Sequence, residues 1–503
     1  MCEAAPAAAA DEPKHPRIGC TRFLVWIVSL SAISSIISGY DQGVIAGAML
    51  TLQEDLGLTG VELELCVGVI NLAAALGGIV TGAIADAKGR RWTITLSNVL
   101  FLLGSLLLTI AEDFFTLMVG RVFMGLGVGI ALVAAPIFTA EISPAHLRGS
   151  LVAMSDVATN AGILLGYAAG LSFYGVVGGW RYMFAIGMLP AGLLAILIWT
   201  VPESPRWLAM RGRDNDALAA LVRIGDKAYA EAELESIRTS IQNDSTAGEA
   251  SWKEIFFPAD RPTARMLTAG LGVAFFSQAC GTEAVTYYIP EVMVNVGLSD
   301  YEALVATMGA GGCKVLCLLF ASQLFDRLGR RPMLLISAFG LAASFGVVSA
   351  SYSINLNWLS VVGVCGIMGS FSLGFSPLVY VVGTEVFPNR LRAKAMSLAL
   401  FITRMLAGIV SISFISLEEG LGPTLLWASF SAIAVSAMVF IFFSVPETMG
   451  LELEDVAALF TAGGSSTQKK TATTLLSRVT SRSHQVVEPS VVTEASTAAA
   501  DRV

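Results

Sequence analysis

The chain has 503 residues, of which 55% are hydrophobic and only 14% charged, with a formal net charge of −8. Soluble domains carry roughly 25% charged residues, so a chain this long and this apolar has lipid as most of its solvent. The negative balance argues against a nucleic-acid partner.

Residues 1–21 are Ala/Pro-rich and lack the basic flank, short apolar core and cleavage site of a signal peptide. A disordered tail is expected there, with the first spanning helix acting as an uncleaved signal. Twelve apolar stretches follow, each near the ~20 residues a crossing needs. They lie near 22–46, 62–85, 92–111, 114–140, 151–174, 180–200, 264–288, 302–325, 333–353, 358–385, 393–417 and 422–444. Between the sixth and seventh, residues 201–263 are hydrophilic and predict short amphipathic helices. From 446 a second tail begins, Ser/Thr/Ala-rich and expected to be mostly disordered. The expected fold is an all-α membrane protein: one six-helix domain over 22–200, a linker over 201–263 and a second six-helix domain over 264–445.

Charge sorts the loops into two sets. One holds Lys88, Arg90, Arg91, Arg148, Arg206, Arg211, Arg213, Arg223, Arg238, Arg327, Arg330, Arg331, Arg390, Arg392 and Lys394. The opposite set holds Glu54, Asp55, Glu62, Glu64, Glu112, Asp113, Asp300, Glu302, Glu418 and Glu419. Excess Lys and Arg mark cytoplasmic loops, so the basic end, both termini and the linker are expected inside. The sequon Asn243-Asp244-Ser245 then lies inside and stays unglycosylated.

The two halves repeat. Asp86-x-x-Gly89-Arg90-Arg91 recurs 240 residues later as Asp326-x-x-Gly329-Arg330-Arg331. Glu141, Pro144 and Arg148 recur 244 residues on as Glu385, Pro388 and Arg392, and Pro202-Glu203 recurs at the same spacing as Pro446-Glu447. Duplication of this kind fits transporters made of two parallel repeats with a central site near the midplane.

Six ionisable residues fall inside apolar stretches: Asp41, Asp156, Glu283, Arg121, Lys314 and Arg404. Each costs about 2.5–3.5 kcal/mol on insertion scales, so internal pairing or a wet cavity is expected. Gln278, Glu283 and Tyr287 are spaced to line one cavity, and amides, carboxylates and phenols suit a ligand whose hydroxyls both donate and accept. Gly281 beside them favours a local helix break. Gly125-x-Gly127-x-Gly129 lies within a spanning stretch and reads as helix packing, not a nucleotide loop. His15, His146 and His484 do not cluster, the seven cysteines lack zinc spacing, and no P-loop or nucleophile elbow occurs. Neither a metal site nor catalysis is expected.

Several motifs together carry a resemblance. They are Gly39-Tyr40-Asp41-x-Gly43-Val44-Ile45-x-Gly47, the two Asp-x-x-Gly-Arg-Arg loops, Pro136-x-x-x-x-Glu141-Ile142-x-Pro144-x-x-x-Arg148-Gly149, Pro202-Glu203-Ser204-Pro205-Arg206-Trp207-Leu208 and Pro446-Glu447-Thr448. Across residues 20–458 the chain resembles the sugar porter family of the major facilitator superfamily. Glu62-Leu63-Glu64-Leu65, Asn160-Ala161-Gly162-Ile163-Leu164-Leu165-Gly166-Tyr167 and Lys314 are similar to its plant-type polyol and monosaccharide proton symporters. The chain departs from the family pattern at Ser277-Gln278, Thr282-Glu283, Ser376, Tyr380 and Phe138, mostly where substrate would bind.

The resemblance implies alternating access by two six-helix domains, with a monosaccharide or polyol moved together with a proton. It assigns coupling to Asp41 and Arg121. It assigns substrate binding to Asp156, Gln278, Glu283, Tyr287, Tyr288, Lys314, Tyr380 and Arg404. A gating network falls to Asp86, Arg90, Arg91, Glu141, Arg148, Glu203, Arg206, Asp326, Arg330, Arg331, Glu385 and Arg392. The proton is the coupling ion and no cofactor is expected; the chain is expected as a monomer in the plasma membrane. Bland readings stay open: Tyr287 and Tyr288 as packing aromatics, Glu283 with Lys314 as a structural pair, Arg404 as part of a gate, and the loop charges as topology signals alone. A facilitative uniporter and a non-transporting sugar sensor share the same fold. Asp41 speaks against the uniporter, whose members generally carry Asn there, and the tail is short for a signalling domain.

Overall fold

The structure is a computed structural model that describes residues 21–246, 251–354, 356–451 and 453–461. Backbone groups in hydrocarbon have no water to bond, so a spanning chain satisfies them within helices or closed barrels. Helices prevail here, and among the described residues no strand forms. The first half comprises α1 (Arg22–Leu56), α2 (Gly60–Lys88), α3 (Arg90–Thr109), α4 (Phe114–Ile142), α5 (Arg148–Ser172) and α6 (Gly179–Leu197). Four short helices follow: α7 (Pro205–Met210), α8 (Asp214–Ile224), α9 (Lys227–Thr246) and α10 (Trp252–Phe256). The second half comprises α11 (Arg261–Ala279), α12 (Thr282–Asn295), α13 (Asp300–Leu328), α14 (Arg330–Ile354), α15 (Asn357–Leu373), α16 (Phe375–Val386), α17 (Arg392–Leu421) and α18 (Pro423–Ser444), with α19 (Leu453–Thr461) after it.

Among the described residues, eleven helical segments are long and apolar enough to cross a membrane, with α15 and α16 counted as one. The seventh expected stretch is not among them. It is built as α11 and α12, interrupted at Gly281 (φ +77°); the break shortens each piece, and Arg261 and Arg265 make the first less apolar. The expected tail also differs: residues 453–461 form α19, whose Val456 and Phe460 are buried one turn apart against the second half. The N-terminal tail through residue 20, the rest of the C-terminal tail and the side chains of the sequon lie outside the described residues.

The repeat is visible in the helix ends. Thr59 and Glu62 form a capping box on α2, and Ser299 and Glu302 form the same box on α13. Such caps contribute ~1 kcal/mol each. Asp113 caps α4 by accepting the Thr116 backbone N–H at 2.7 Å, which holds its carboxyl below the usual carboxylate range. Gly89 and Gly329 start α3 and α14 at φ +98° and +92°. A Cβ there would come within 2.4 Å of Glu203 Oε2 and 2.7 Å of Glu447 Oε2, which is why both loop motifs carry glycine.

Within the first half, α1 and α5 meet along a glycine seam. A Cβ on Gly39 would lie 1.9 Å from the Thr159 carbonyl oxygen, one on Gly43 2.1 Å from that of Ile163, and one on Gly47 2.5 Å from Gly170 Cα. Small residues let backbones approach this closely, and dispersion over the seam then drives association in lipid. The halves meet chiefly where α2 packs on α17, α5 on α13 and α1 on α12.

Gly43→Ala forces backbone to shift, and overpacking of this kind costs about 1–3 kcal/mol. The expected outcome is a melting temperature several degrees lower in a detergent thermal-shift assay, with Gly43→Leu giving little folded protein. An Ala variant as stable as the parent would mean the seam has room the geometry denies.

Candidate functional site

Asp41 lies in the middle of α1 with no exposed surface, and Arg121 on α4 is 1% exposed. Arg121 Nη1 stands 3.0 Å from Asp41 Oδ1, and Arg121 Nε donates to the Cys66 carbonyl oxygen at 2.8 Å. Asp41 Oδ2 and Arg121 Nη2 have no hydrogen-bond partner. The pair is thus buried, ionic and incompletely satisfied, and it belongs wholly to the first half.

One residue further along α1, Gln42 reaches a cavity at the seam between the halves. The cavity is partly open, and about 630 Å³ of non-atom space lies between its walls, open solvent included. Of the expected substrate residues, Asp156 (α5), Gln278 (α11), Glu283 (α12), Lys314 (α13), Tyr380 (α16) and Arg404 (α17) line it. Ser277, Asn160, Thr403 and Ser376 add polar wall, while Phe371 and Phe375 add apolar wall. The α11–α12 break brings Gln278 and Glu283 to the same space from two helices.

Tyr287 and Tyr288 are not among its lining residues. Tyr287 sits beyond Glu283, where its hydroxyl accepts from Asn71 Nδ2 at 3.0 Å and donates to Glu283 Oε1 at 3.4 Å. Tyr288 turns to α17, donating to the Ser411 carbonyl oxygen at 2.9 Å and stacking on Phe414 at 4.9 Å. It is a packing aromatic here. Glu283 does not pair with Lys314: its partner is Arg404, whose Nη1 lies 3.0 Å from Glu283 Oε1 and 3.1 Å from Asn71 Oδ1. Two adjacent guanidinium contacts from one nitrogen thus link the second half to α2 of the first.

Sequence reasoning missed the ties that close the acidic end. Glu64, read as a loop acid, is 1% exposed inside α2 and accepts from the Ser416 backbone N–H at 2.7 Å and its hydroxyl at 2.5 Å on α17. Tyr167 on α5 donates to the Thr286 carbonyl oxygen on α12 at 2.8 Å. With Asn71 these bonds join the halves between the cavity and the acidic end. The cavity therefore faces the basic end, where Tyr380 is 37% exposed. Glu64 was hidden by its position five residues into α2, and Asn71 had only its polarity within an apolar stretch to mark it.

At the basic end the repeated motifs form one arrangement twice. In the first half, Arg90 pairs with Glu141 at 2.9 Å and Asp86 at 3.1 Å, Ser204 donates to Glu141, and Glu203 accepts the backbone N–H of Arg90 at 2.9 Å and Arg91 at 3.2 Å. In the second, Arg330 pairs with Glu385 at 3.2 Å, Thr448 donates to Glu385, and Glu447 accepts the N–H of Arg330 at 2.9 Å and Arg331 at 3.0 Å. A carboxylate on the N-terminus of α3 or α14 is favoured by the helix dipole. Arg91 donates to the Val201 carbonyl oxygen, Arg331 to that of Phe442, Arg148 to that of Ala140 and Arg392 to that of Phe387. Each of these contacts stays inside its own half. Arg206 is the second residue of α7, and the Asp326 side chain lies outside the described residues. Glu447 was legible from the repeated Pro-Glu spacing and was not singled out.

A family model described as sugar (and other) transporter matches residues 27–460. Polyol transporter 5 of Arabidopsis thaliana is 35% identical over 457 residues, which cover 86% of this chain and 85% of that one. D-xylose-proton symporter-like 3, chloroplastic, of the same plant is 33% identical over 455 residues, covering 84% and 80%. Among solved structures, a partially occluded inward-open conformation of the xylose transporter XylE from E. coli superimposes with TM-score 0.76 at 25% identity, covering 86% of this chain and 100% of that one. The proton:xylose symporter XylE bound to 6-bromo-6-deoxy-D-glucose gives TM-score 0.73 at 27% identity, covering 87% and 99%. Two matched helical halves, a polar cavity at their seam and these likenesses lead to one conclusion: the chain belongs to the sugar porter family of the major facilitator superfamily, and is a multi-pass membrane transporter of the sugar and polyol class rather than an enzyme.

Proposed function

We propose that this transporter is a proton symporter for a monosaccharide or polyol, working by alternating access. The observation that carries the reading is the polar cavity at the seam with the buried Asp41–Arg121 pair one residue from its wall. A carboxylate whose cation moves away in a dry setting becomes a proton acceptor, and a proton entering down the membrane potential supplies about 2.3 kcal/mol per 100 mV. Coupled one to one, that sustains roughly fifty-fold accumulation. The proton-coupled xylose transporters among the similar proteins support the same assignment.

In this reading the basic end is cytoplasmic, with both termini inside a plasma-membrane monomer. The chain crosses twelve times, the seventh crossing being the broken α11–α12 pair. Substrate is held by Asp156, Gln278, Glu283, Lys314, Tyr380 and Arg404, whose charged and amide groups match the donors and acceptors of hydroxyls. Tyr287 roofs the site. The conformation here is inward-facing and closed outside by Glu64, Asn71 and Tyr167. The two basic-end networks keep each half rigid and favour the outward-facing form when the halves close on that side.

Asp41→Asn removes the proton acceptor while keeping shape. In proteoliposomes it should still equilibrate substrate but accumulate none against a gradient, down from the roughly fifty-fold ceiling at 100 mV. Full uphill uptake by this variant would sink the coupling assignment, and gradient-indifferent flux in the unmodified protein would mark a uniporter.

Glu64→Gln weakens a charge-assisted bond across the outer seam, a type that contributes about 1.5–3 kcal/mol. Spin labels at exposed positions 54 and 300 should then show a new longer-distance population. An unchanged distance distribution would remove Glu64 from the gate.

A further inference from the structure

Four charged side chains line the cavity: Asp156, Glu283, Lys314 and Arg404. Two are bound to each other, since Glu283 and Arg404 form an ion pair at 3.0 Å. The remaining two are not so engaged. Lys314 is 5% exposed and makes no salt bridge or hydrogen bond with the described residues; the nearest ring, Phe371, is 6.0 Å from its Nζ. Asp156 has a buried Oδ2 without a hydrogen-bond partner. The two come from opposite halves, Asp156 on α5 beside Ser376 and Lys314 on α13; each lies within the other's field, and Lys314 also feels Glu283.

The wall therefore sums to zero, with one pair closed and one pair open to a ligand. Fields act strongly in a cavity with low-dielectric walls. A neutral polyol fits a balanced wall, because a hydroxyl can accept from the ammonium and donate to the carboxylate. A ligand carrying a carboxylate gains from Lys314 but meets Asp156 and Glu283. A ligand carrying an ammonium gains from Asp156 but meets Lys314 and Arg404.

We propose that Asp156 and Lys314 are specificity-determining residues that together form a charge filter. Each cancels the other, so neutral sugars and polyols enter while sugars bearing a carboxylate or an ammonium are rejected. The inference rests on the reading of this cavity as the substrate site. Specificity of this kind is built from repulsion as much as attraction.

The test uses the full chain in proteoliposomes at neutral pH, with uptake and scintillation-proximity binding of a labelled hexitol, hexuronate and hexosamine. The unmodified protein should take the hexitol or another neutral sugar and reject both charged ones. Asp156→Asn leaves Lys314 uncancelled and should raise hexuronate binding about ten-fold or more. Lys314→Gln leaves Asp156 uncancelled and should do the same for hexosamine. The double variant restores neutrality and should reject both again. Folding of each variant is followed by thermal unfolding, and either single variant decides the matter if the other is unstable. Folded single variants that reject charged sugars as the parent does would overturn the filter, as would a parent that carries hexuronate. A parent that moves no neutral sugar, with Asp156→Asn still gaining hexuronate, would remove the neutral-substrate reading and leave the filter standing.

Discussion

A charge inside hydrocarbon must find a partner or water, and the placement of charge in this protein follows from that demand. Asp41 and Arg121 satisfy it privately, within the first half and just behind the cavity wall. Glu283 and Arg404 satisfy it within the second half, with Arg404 also reaching Asn71 across the seam. Asp156 and Lys314 satisfy it through the cavity itself. Glu64 adds a fourth solution, a carboxylate held by a backbone N–H and a hydroxyl from the other half. Each of these charges therefore stiffens one half, ties the halves, or lines the cavity.

The difference between what lies inside a half and what lies between halves is energetic. Inside each half the contacts are backbone-close helix seams and repeated carboxylate–arginine clusters. Between the halves, near the acidic end, α2 packs closely on α17 at Gly68 and Gly408, and the polar ties are a handful of hydrogen bonds involving Asn71, Glu64 and Tyr167. Single hydrogen bonds contribute about 0.5–1.5 kcal/mol net, and those to charged groups about 1.5–3. In the proposed cycle these few polar ties are exchanged between two states, and substrate contacts bias that exchange.

The fold was legible because lipid imposes its own pattern. Apolar length located the crossings, Lys and Arg sorted the loops, and the Asp-x-x-Gly-Arg-Arg spacing revealed the duplication whose caps and clusters then repeat in three dimensions. Asp41 and Arg121 stood out for the same reason, as charges in apolar stretches. What the sequence concealed was partnership across the seam. Nothing in α12 says whether Glu283 meets Lys314 or Arg404, since both cations are distant in the chain and the choice depends on how α13 and α17 are packed. Tyr287 and Tyr288 are adjacent, yet one full side chain of rotation (about 100° along a helix) sends the first to Asn71 and the second into an aromatic stack. Glu64 looked like a loop residue because helix ends are the least certain feature of any sequence reading.

The same packing joins the two jobs proposed for this molecule. The coupling pair belongs to α1 and α4, whereas most of the cavity's polar wall belongs to α11, α12, α13, α16 and α17 of the other half. Among the described residues, Asp156 on α5 is the one charge that the first half contributes to the cavity. It is joined to Asp41 by the glycine seam, where backbone meets backbone at Gly39, Gly43 and Gly47. Interiors packed this tightly transmit displacement instead of absorbing it. A change of charge at Asp41 that shifts α1 must carry α5 and Asp156 along, altering the field that Lys314 presents to substrate. Conversely, substrate drawing Asp156 toward the second half must pull on α1 and on the Asp41–Arg121 contact. Coupling then needs no chain of side chains between the proton site and the substrate site, only two helices with no room to slip.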